Sequence, residues 1–449
     1  MNYLIGLDIG TTAIKGALMT TEGSVTETFS GGYNYYGEEN IKLLNPKEFL
    51  DVCFSVIKSL ADKLKDEDRV LAVCSCCASG NLILLDKENV PITPIIGWQT
   101  AISGEDSADF YSDEEKQELY KKVGWPVGIR MPIAYLPAIR KYNSELLQKA
   151  ETITMSAEYL NFSLTGKWGI AHSMGTPSFL MDQEKGVYNK SLLEKLGIAD
   201  KFMPPIFDKG TVLGSVLPEM AKKLHLSTDT KVVLGTFDHP SGALGAGVFE
   251  EGEMLLSCGT SWVEFFPVKS RDLAISTKGL VDRFMLDGTP YCVMKSITSV
   301  SEKIDALRYH YLGDISHKEF DDFINASASG SNGLRFNFTD DDYKIDSKYS
   351  KGDIARAIIE GASLILKENL LMLEKCGLNA EKITMIGGIS NSKVCVNVVS
   401  EVLERPVKVA NGQAAGAIGA ALLAGVGVGI YENEKSAFKK HSLYVLNNN

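Results

Sequence analysis

The stretches IGLDIGTTAIKGALM (residues 5–19) and MLLSCGTSWVEFFPV (residues 254–268) decide how this chain is read. They align as Leu7 with Leu256, Gly10 with Gly259, Thr11 with Thr260 and Thr12 with Ser261, at an offset of 249 residues. Each reads as an apolar strand, a glycine turn carrying two hydroxyl residues, and a second strand. At 449 residues the chain is too long for a single core, and a repeat at that distance points to two related domains. The polar segment GVFEEGE (247–253), just before the second copy, serves as the junction, so the expected domains are 1–247 and 248–449.

Around the first copy, SVTETFS (24–30) alternates as a third strand, and an amphipathic pattern from about Pro46 to Lys65 predicts a helix. The apolar runs RVLAVCSC and LILLD follow as strands, then a helix-rich middle from roughly 104 to 230 broken by prolines, then the strand KVVLGTF leading to Asp238. Strands interleaved with helices in this order predict an α/β fold. The uncharged run Ala414 to Tyr431 is dense in Gly and Ala, which suits a tightly packed buried helix better than a lipid-spanning one.

Composition narrows the function classes. The net charge of −11 argues against a nucleic-acid partner held through phosphates, and no segment reads as a membrane span or as a leader with a basic n-region. Eight cysteines are too few for a disulfide scaffold. Cys74, Cys76 and Cys77 lack a second Cys pair or nearby His for zinc, so they read as small packing thiols of a cytoplasmic protein. Oligomeric state is not encoded in any pattern, and a homodimer is the assembly to test.

The first turn joins Gly10, Thr11 and Thr12 to Lys15. Glycine lets the backbone approach a ligand and offers N–H groups to an anion, while the hydroxyls and the lysine suit polyphosphate oxygens. Asp8 at the strand end is an acceptor-only carboxylate, for which hydrated Mg2+ is the natural partner; an ordinary hairpin with a buried strand-end acid is the plain alternative. The second turn, Gly259, Thr260 and Ser261, has neither acid nor lysine, so the two turns would hold one polyphosphate with the metal on one side only. A third element, Gly387 and Gly388 with Asn391, sits between a strand and a helix, where a flat ligand could lie on the backbone; Asn391 or Ser392 could equally cap the helix. Asp238, between strand and helix, is placed to accept a proton from an attacking hydroxyl, or to cap the helix. His239 beside it is a substrate donor or a solvated histidine.

Taken together, DIGTTAIKG (8–16), FDHPSGALGAG (237–247), CGTS (258–261) and MIGGISNSKVCVNVVSEVLERPV (385–407) resemble the FGGY carbohydrate kinases, in order and over residues 3 to about 427. The resemblance implies two actin-like (RNase H-like) ATPase domains facing across a catalytic cleft, with ATP and Mg2+ as cofactors and a small sugar or polyol as substrate. It implies that Gly10, Thr11, Thr12 and Lys15 form the first phosphate motif, with Asp8 near the metal. Gly259, Thr260 and Ser261 form the second, Gly387, Gly388 and Asn391 the adenosine motif, and Asp238 the catalytic base. On the sugar side the chain departs from the family. Xylulose kinases carry Gln-Met-His-Gly and glycerol kinases Gln-Arg-Glu where this chain reads Cys77-Ala78-Ser79-Gly80-Asn81. Many members carry Trp-x-Asp-x-Arg where it reads Trp98-Gln99-Thr100-Ala101-Ile102. Ser79, Gly80, Trp98, Asp238 and His239 are the expected substrate contacts, and glycerol and D-xylulose are disfavoured. MGTPSFLMD (174–182) is loosely similar to deoxyketose kinases such as L-fuculose kinase. The expected function is transfer of the γ-phosphoryl group of ATP to a hydroxyl of a sugar, ketose or polyol. A sugar- and ATP-sensing protein with weak catalysis is the alternative, and a filament- or chaperone-type ATPase the third reading.

Overall fold

The computed structural model describes every residue except 104–107, 339–344, 411–413 and 449. The chain forms two compact units: residues 1–247 with 280–286 and 414–449, and residues 248–279 with 287–413. The start of the expected helix-rich middle, 104–107, lies outside the described residues.

In the first unit, strands β1 (Asn2–Ile9), β2 (Ala13–Thr20), β3 (Val25–Gly32), β4 (Arg69–Cys77), β5 (Val212–Ser215) and β6 (Lys231–Phe237) form one sheet in the order β5-β6-β4-β1-β2-β3. Strands β6, β4 and β1 run parallel, and β2 and β3 return antiparallel. Helix α1 (Pro46–Ala61) covers one face, started by Asn45, whose side chain accepts from the N–H groups of Lys47 and Glu48. It stops at Ala61, four residues short of the expected end.

In the second sheet, β7 (Gly252–Cys258), β8 (Trp262–Val268), β9 (Thr289–Ile297), β10 (Ala380–Gly387) and β11 (Val407–Val409) take the order β9-β8-β7-β10-β11, with the strand Leu280–Leu286 at the edge beside β9. Strands β7, β10 and β11 are parallel, and β8 and β9 antiparallel. The arrangement of β6-β4-β1-β2-β3 is therefore built twice, as the sequence repeat predicts. The two hairpins differ by one residue. Ile9 pairs with Ile14 across a four-residue turn, whereas Cys258 pairs with Trp262 across three.

The split at 247/248 places 414–449 differently from the units. Helix α2 (Asp238–Ala246) and helix α3 (Ala415–Gly427) pack together in the first unit, and α3 also lies on β1. The contact is backbone against backbone. A Cβ added at Gly6 would stand 1.9 Å from the Ala417 carbonyl oxygen, one at Gly245 1.9 Å from that of Ala415, and one at Gly419 1.9 Å from that of Ser241. Only glycine permits such approach, so α3 belongs with β1 although some 400 residues separate them. This helix is the Gly- and Ala-dense run read as buried, and among the described residues no helix is long and apolar enough to cross a membrane. All eight cysteines are free, with Cys74, Cys76 and Cys77 buried in β4, as the packing-thiol reading expects.

Two consequences are measurable. Gly419→Ala forces α2 and α3 apart, and overpacking of this kind costs about 1–3 kcal/mol or more; thermal unfolding should shift down by several degrees, while Gly388→Ala, whose Cβ meets nothing within 4 Å, leaves it unchanged. Glu264 on β8 is fully buried, and burial raises its carboxyl to about 8 against the lowering by Asn369 and Lys295. A folded-state pKa above the unfolded value means that stability is lost as pH rises from about 4.5 toward 8. Glu264→Gln should therefore flatten the decline of the urea midpoint between pH 6 and 8.5.

Candidate active site

The parallel strands β1, β4 and β6 end side by side, and their carboxyl ends carry Asp8, the segment Cys76 to Gly80, and Asp238. Ligands of open α/β sheets bind at this end of the strands. Asp8 faces Lys15 in the antiparallel register of β1 and β2 and accepts the Cys76 thiol at 3.7 Å. Gly416 of α3 closes over it: a Cβ there would stand 2.6 Å from Asp8 Oδ2. Burial first, then the charge of Asp238, raise the Asp8 carboxyl to about 6, against the lowering by Lys15 and Cys76. Burial also holds Asp238 above the ordinary carboxylate range, with His239 opposing it.

Asp238 is the first residue of α2, one position inside the expected cap, and no side chain caps this helix. Its Oδ1 accepts the N–H of His239 at 2.7 Å, leaving the other oxygen for a ligand. The His239 ring is half-buried, edge-on to Phe237 at 5.4 Å, with Nε2 3.9 Å from Asp238 Oδ1. It is thus a neighbour of the acid and not a solvated surface histidine.

The first turn is braced from two sides. Tyr33 donates its N–H to the Thr12 carbonyl at 3.3 Å and its hydroxyl to the Gly10 carbonyl. The Trp98 indole N–H donates to Thr11 Oγ1 at 3.1 Å. Trp98, expected at the sugar, is therefore tied to the first glycine turn through its one polar atom. Ser79, only 3% exposed, donates to the Met174 carbonyl at 2.7 Å. Asn81 exchanges hydrogen bonds with Ser156 at 2.9 and 2.7 Å. Gly80 has φ +91°, and a Cβ on it would stand 2.3 Å from Met131 Sδ. The segment expected to read the sugar by side chains has its polar groups turned inward.

In the second unit, the turn Gly259–Thr260–Ser261 is held by Ser301, whose hydroxyl donates to the Gly259 carbonyl at 2.6 Å and accepts from the Trp262 indole at 3.2 Å. Cys258 pairs with Gly387 across β7 and β10, so the second glycine turn and the glycine pair stand at one end of the same two strands. Gly387 has φ +102°, and a Cβ on it would stand 2.1 Å from the Cys258 carbonyl oxygen. Gly388 borders open space. Ser392 caps helix α4 (Lys393–Leu403), accepting from Cys395 N–H at 3.0 Å, which leaves the exposed Asn391 side chain free of that duty.

The structure thus groups Asp8, Gly10, Thr11, Thr12, Lys15, Trp98, Asp238 and His239 at one sheet end of the first unit. It groups Gly259, Thr260, Ser261, Gly387, Gly388 and Asn391 in the second. Sequence reading missed Tyr33, Cys76 as a partner of Asp8, and Gly416. The glycine of a Gly-Ala helix was the only visible signal among them. Among the described residues no group of three or more His, Cys, Asp or Glu could enclose a metal ion.

Comparison with known proteins bears on the fold and the family. The FGGY family of carbohydrate kinases matches the chain twice, its N-terminal domain over residues 3–245 and its C-terminal domain over 293–428. A xylulose kinase of Staphylococcus epidermidis is 24% identical, over 96% of this chain and 89% of its own. The ligand-bound xylulose kinase of Lactobacillus acidophilus superposes with a TM-score of 0.90 at 22% identity, covering 99% of this chain and 96% of its own. The glycerol kinase of Plasmodium falciparum with ADP does so at 0.88 and 18% identity, covering 98% and 92%. With both family domains matched in order on the repeated sheet, this chain belongs to the FGGY family of carbohydrate kinases and has their two-domain α/β fold.

Proposed function

We propose that this carbohydrate kinase moves the γ-phosphoryl group of ATP to a hydroxyl of a small sugar, ketose or polyol, with Asp238 as general base. The observation that carries the reading is the acid pair: Asp8 lies at the end of β1 and Asp238 follows β6, the two parallel strands that flank β4, and the charge of Asp238 adds to burial in raising the Asp8 carboxyl. Asp238 Oδ1 is engaged by His239, so Oδ2 is the oxygen that takes the acceptor proton. Backbone N–H groups and hydroxyls at Gly10 to Thr12 and at Gly259 to Ser261 supply donors for phosphate oxygens, and Lys15 adds charge. The glycine pair 387–388, with Asn391 released from capping, suits a nucleoside lying on bare backbone.

Mg2+ fits this donor set. Asp8 is a single half-buried carboxylate with a second acid close by and one lysine opposite, and Mg2+ is commonly held by one or two carboxylates plus substrate phosphates. When bound it neutralises charge on the phosphates. Catalysis then rests on positioning: the turn residues orient the phosphates, and Asp238 holds the proton acceptor in line with the attacking oxygen.

The names of the relatives do not carry their sugar across. At Ala78 to Asn81 and at Thr100 to Ile102 this chain lacks the family's polar and charged side chains, and those it has point inward. A coupled ADP assay over D-fructose, L-fuculose, D-ribulose, xylitol and D-gluconate, with D-xylulose and glycerol for comparison, should return one strongly preferred acceptor. With that acceptor Asp238→Asn should lower kcat by about 10²–10⁴-fold with nucleotide affinity retained; full activity in this variant would remove Asp238 from its role. Asp8 acts as a carboxylate, and its raised pKa means the ionised form is lost as pH falls through about 6. The kcat/KM profile should therefore have an acid limb near pH 6, belonging to the Asp8–Asp238 pair together. A profile flat down to pH 5 would count against the pairing.

A further inference from the structure

We infer that Ser173 and Asp282 are positioning residues for Asp238, an inference that rests on the reading of Asp238 as the base. The Ser173 hydroxyl, 1% exposed, donates to Asp282 Oδ2 at 2.8 Å and accepts the N–H of Phe237 at 3.2 Å. Phe237 ends β6, and its peptide leads directly into Asp238. Helix α2 has no side-chain cap, so its entry is not fixed in the ordinary way. The hydroxyl of Ser173, with one proton to give and lone pairs to accept, supplies the missing hold.

Asp282 is fully buried on the strand Leu280–Leu286, which is the edge strand beside β9 in the second sheet yet is grouped by its contacts with the first unit. Its Oδ1 accepts from Thr176 Oγ1 at 2.7 Å and from Arg283 N–H at 2.7 Å. A buried carboxylate is costly to keep where an apolar residue would pack as well. The same strand reaches Phe237 by a second route. Val281 N–H donates to the Gly124 carbonyl at 2.9 Å, and the next residue, Trp125, packs edge-on against the Phe237 ring at 5.6 Å. Both the peptide and the ring of the residue before the base are thus braced from one strand. A displacement of about 1 Å at a reacting group can cost on the order of 100-fold in rate.

The test compares Ser173→Ala with Thr176→Val. Each removes one hydroxyl from Asp282, but only Ser173 touches the backbone that carries Asp238. ADP release from Mg-ATP is read with the fastest of the seven acceptors named above, and with water alone as acceptor. Ser173→Ala should lower kcat about 10–100-fold with KM for the acceptor and for ATP within twofold. Thr176→Val should lose comparable thermal stability and keep kcat within threefold. Where Ser173→Ala fails to fold, Asp282→Asn, which keeps the volume and one acceptor oxygen, carries the same comparison. Equal losses of kcat in the two variants, or a kcat in Ser173→Ala within threefold of the wild type, would overturn the positioning role. Asp238→Asn is measured alongside: if it retains turnover, the base assignment fails by itself, whatever Ser173 does.

Discussion

The contact on which the first unit depends is between backbones. Helix α3 lies against β1 and α2 at separations that admit no side chain at Gly6, Gly245 or Gly419. Such contact gives dispersion and exclusion of water without side-chain entropy, and it leaves no slack. Both acids of the site depend on it. Asp238 begins the helix that α3 packs against, and Asp8 ends the strand that α3 covers, with Gly416 at its carboxylate. The low-dielectric wall that raises the proton affinity of Asp8 is therefore the same contact that holds the first unit together.

One sheet topology has been used twice with different chemistry at its end. In the first unit the strand end bears an acid with a lysine opposite, and β6, one strand beyond the neighbouring β4, delivers a second acid. In the second unit the equivalent strand ends in Cys258, its turn is one residue tighter, and the neighbouring strand delivers glycines. The backbone donors are common to both; the charge is confined to one. That asymmetry follows from a few side chains and not from the fold, which is why the repeat alone could not reveal a reaction.

Much of this was legible in the residues. The strand KVVLGTF spans β6 as observed, the hairpin copies fall where the repeat puts them, and Asp8 and Asp238 stand at the same end of the sheet, on the two strands that flank β4. These are local signals, carried by alternation and by glycine at turns. The home of α3 was not legible, because every residue of its first three turns is buried and a helix apolar on all sides does not say what it packs against. The inward turn of Ser79 was hidden for a related reason: serine serves a ligand or a carbonyl equally well, and Met174 is far away in sequence. Ser173 and Asp282 lie 109 residues apart and match no motif, so only the folded chain brings them together.

The chain passes between the two units four times, and this sets the order in which the molecule can be finished. Strand β1 is synthesised among the first residues, yet its covering helix comes after the whole of the second unit; Tyr431 and Thr21, which bond across this region, are 410 residues apart. During elongation the apolar face of β1 waits without its partner while a second sheet is made and folded. Closure of the first unit is thus a late, high-contact-order step, slow by its loop entropy and exposed to misassembly until it is complete. A nascent chain can form both glycine turns well before Asp8 acquires the wall that raises its proton affinity, so the surroundings of this acid are completed only by the arrival of a glycine helix.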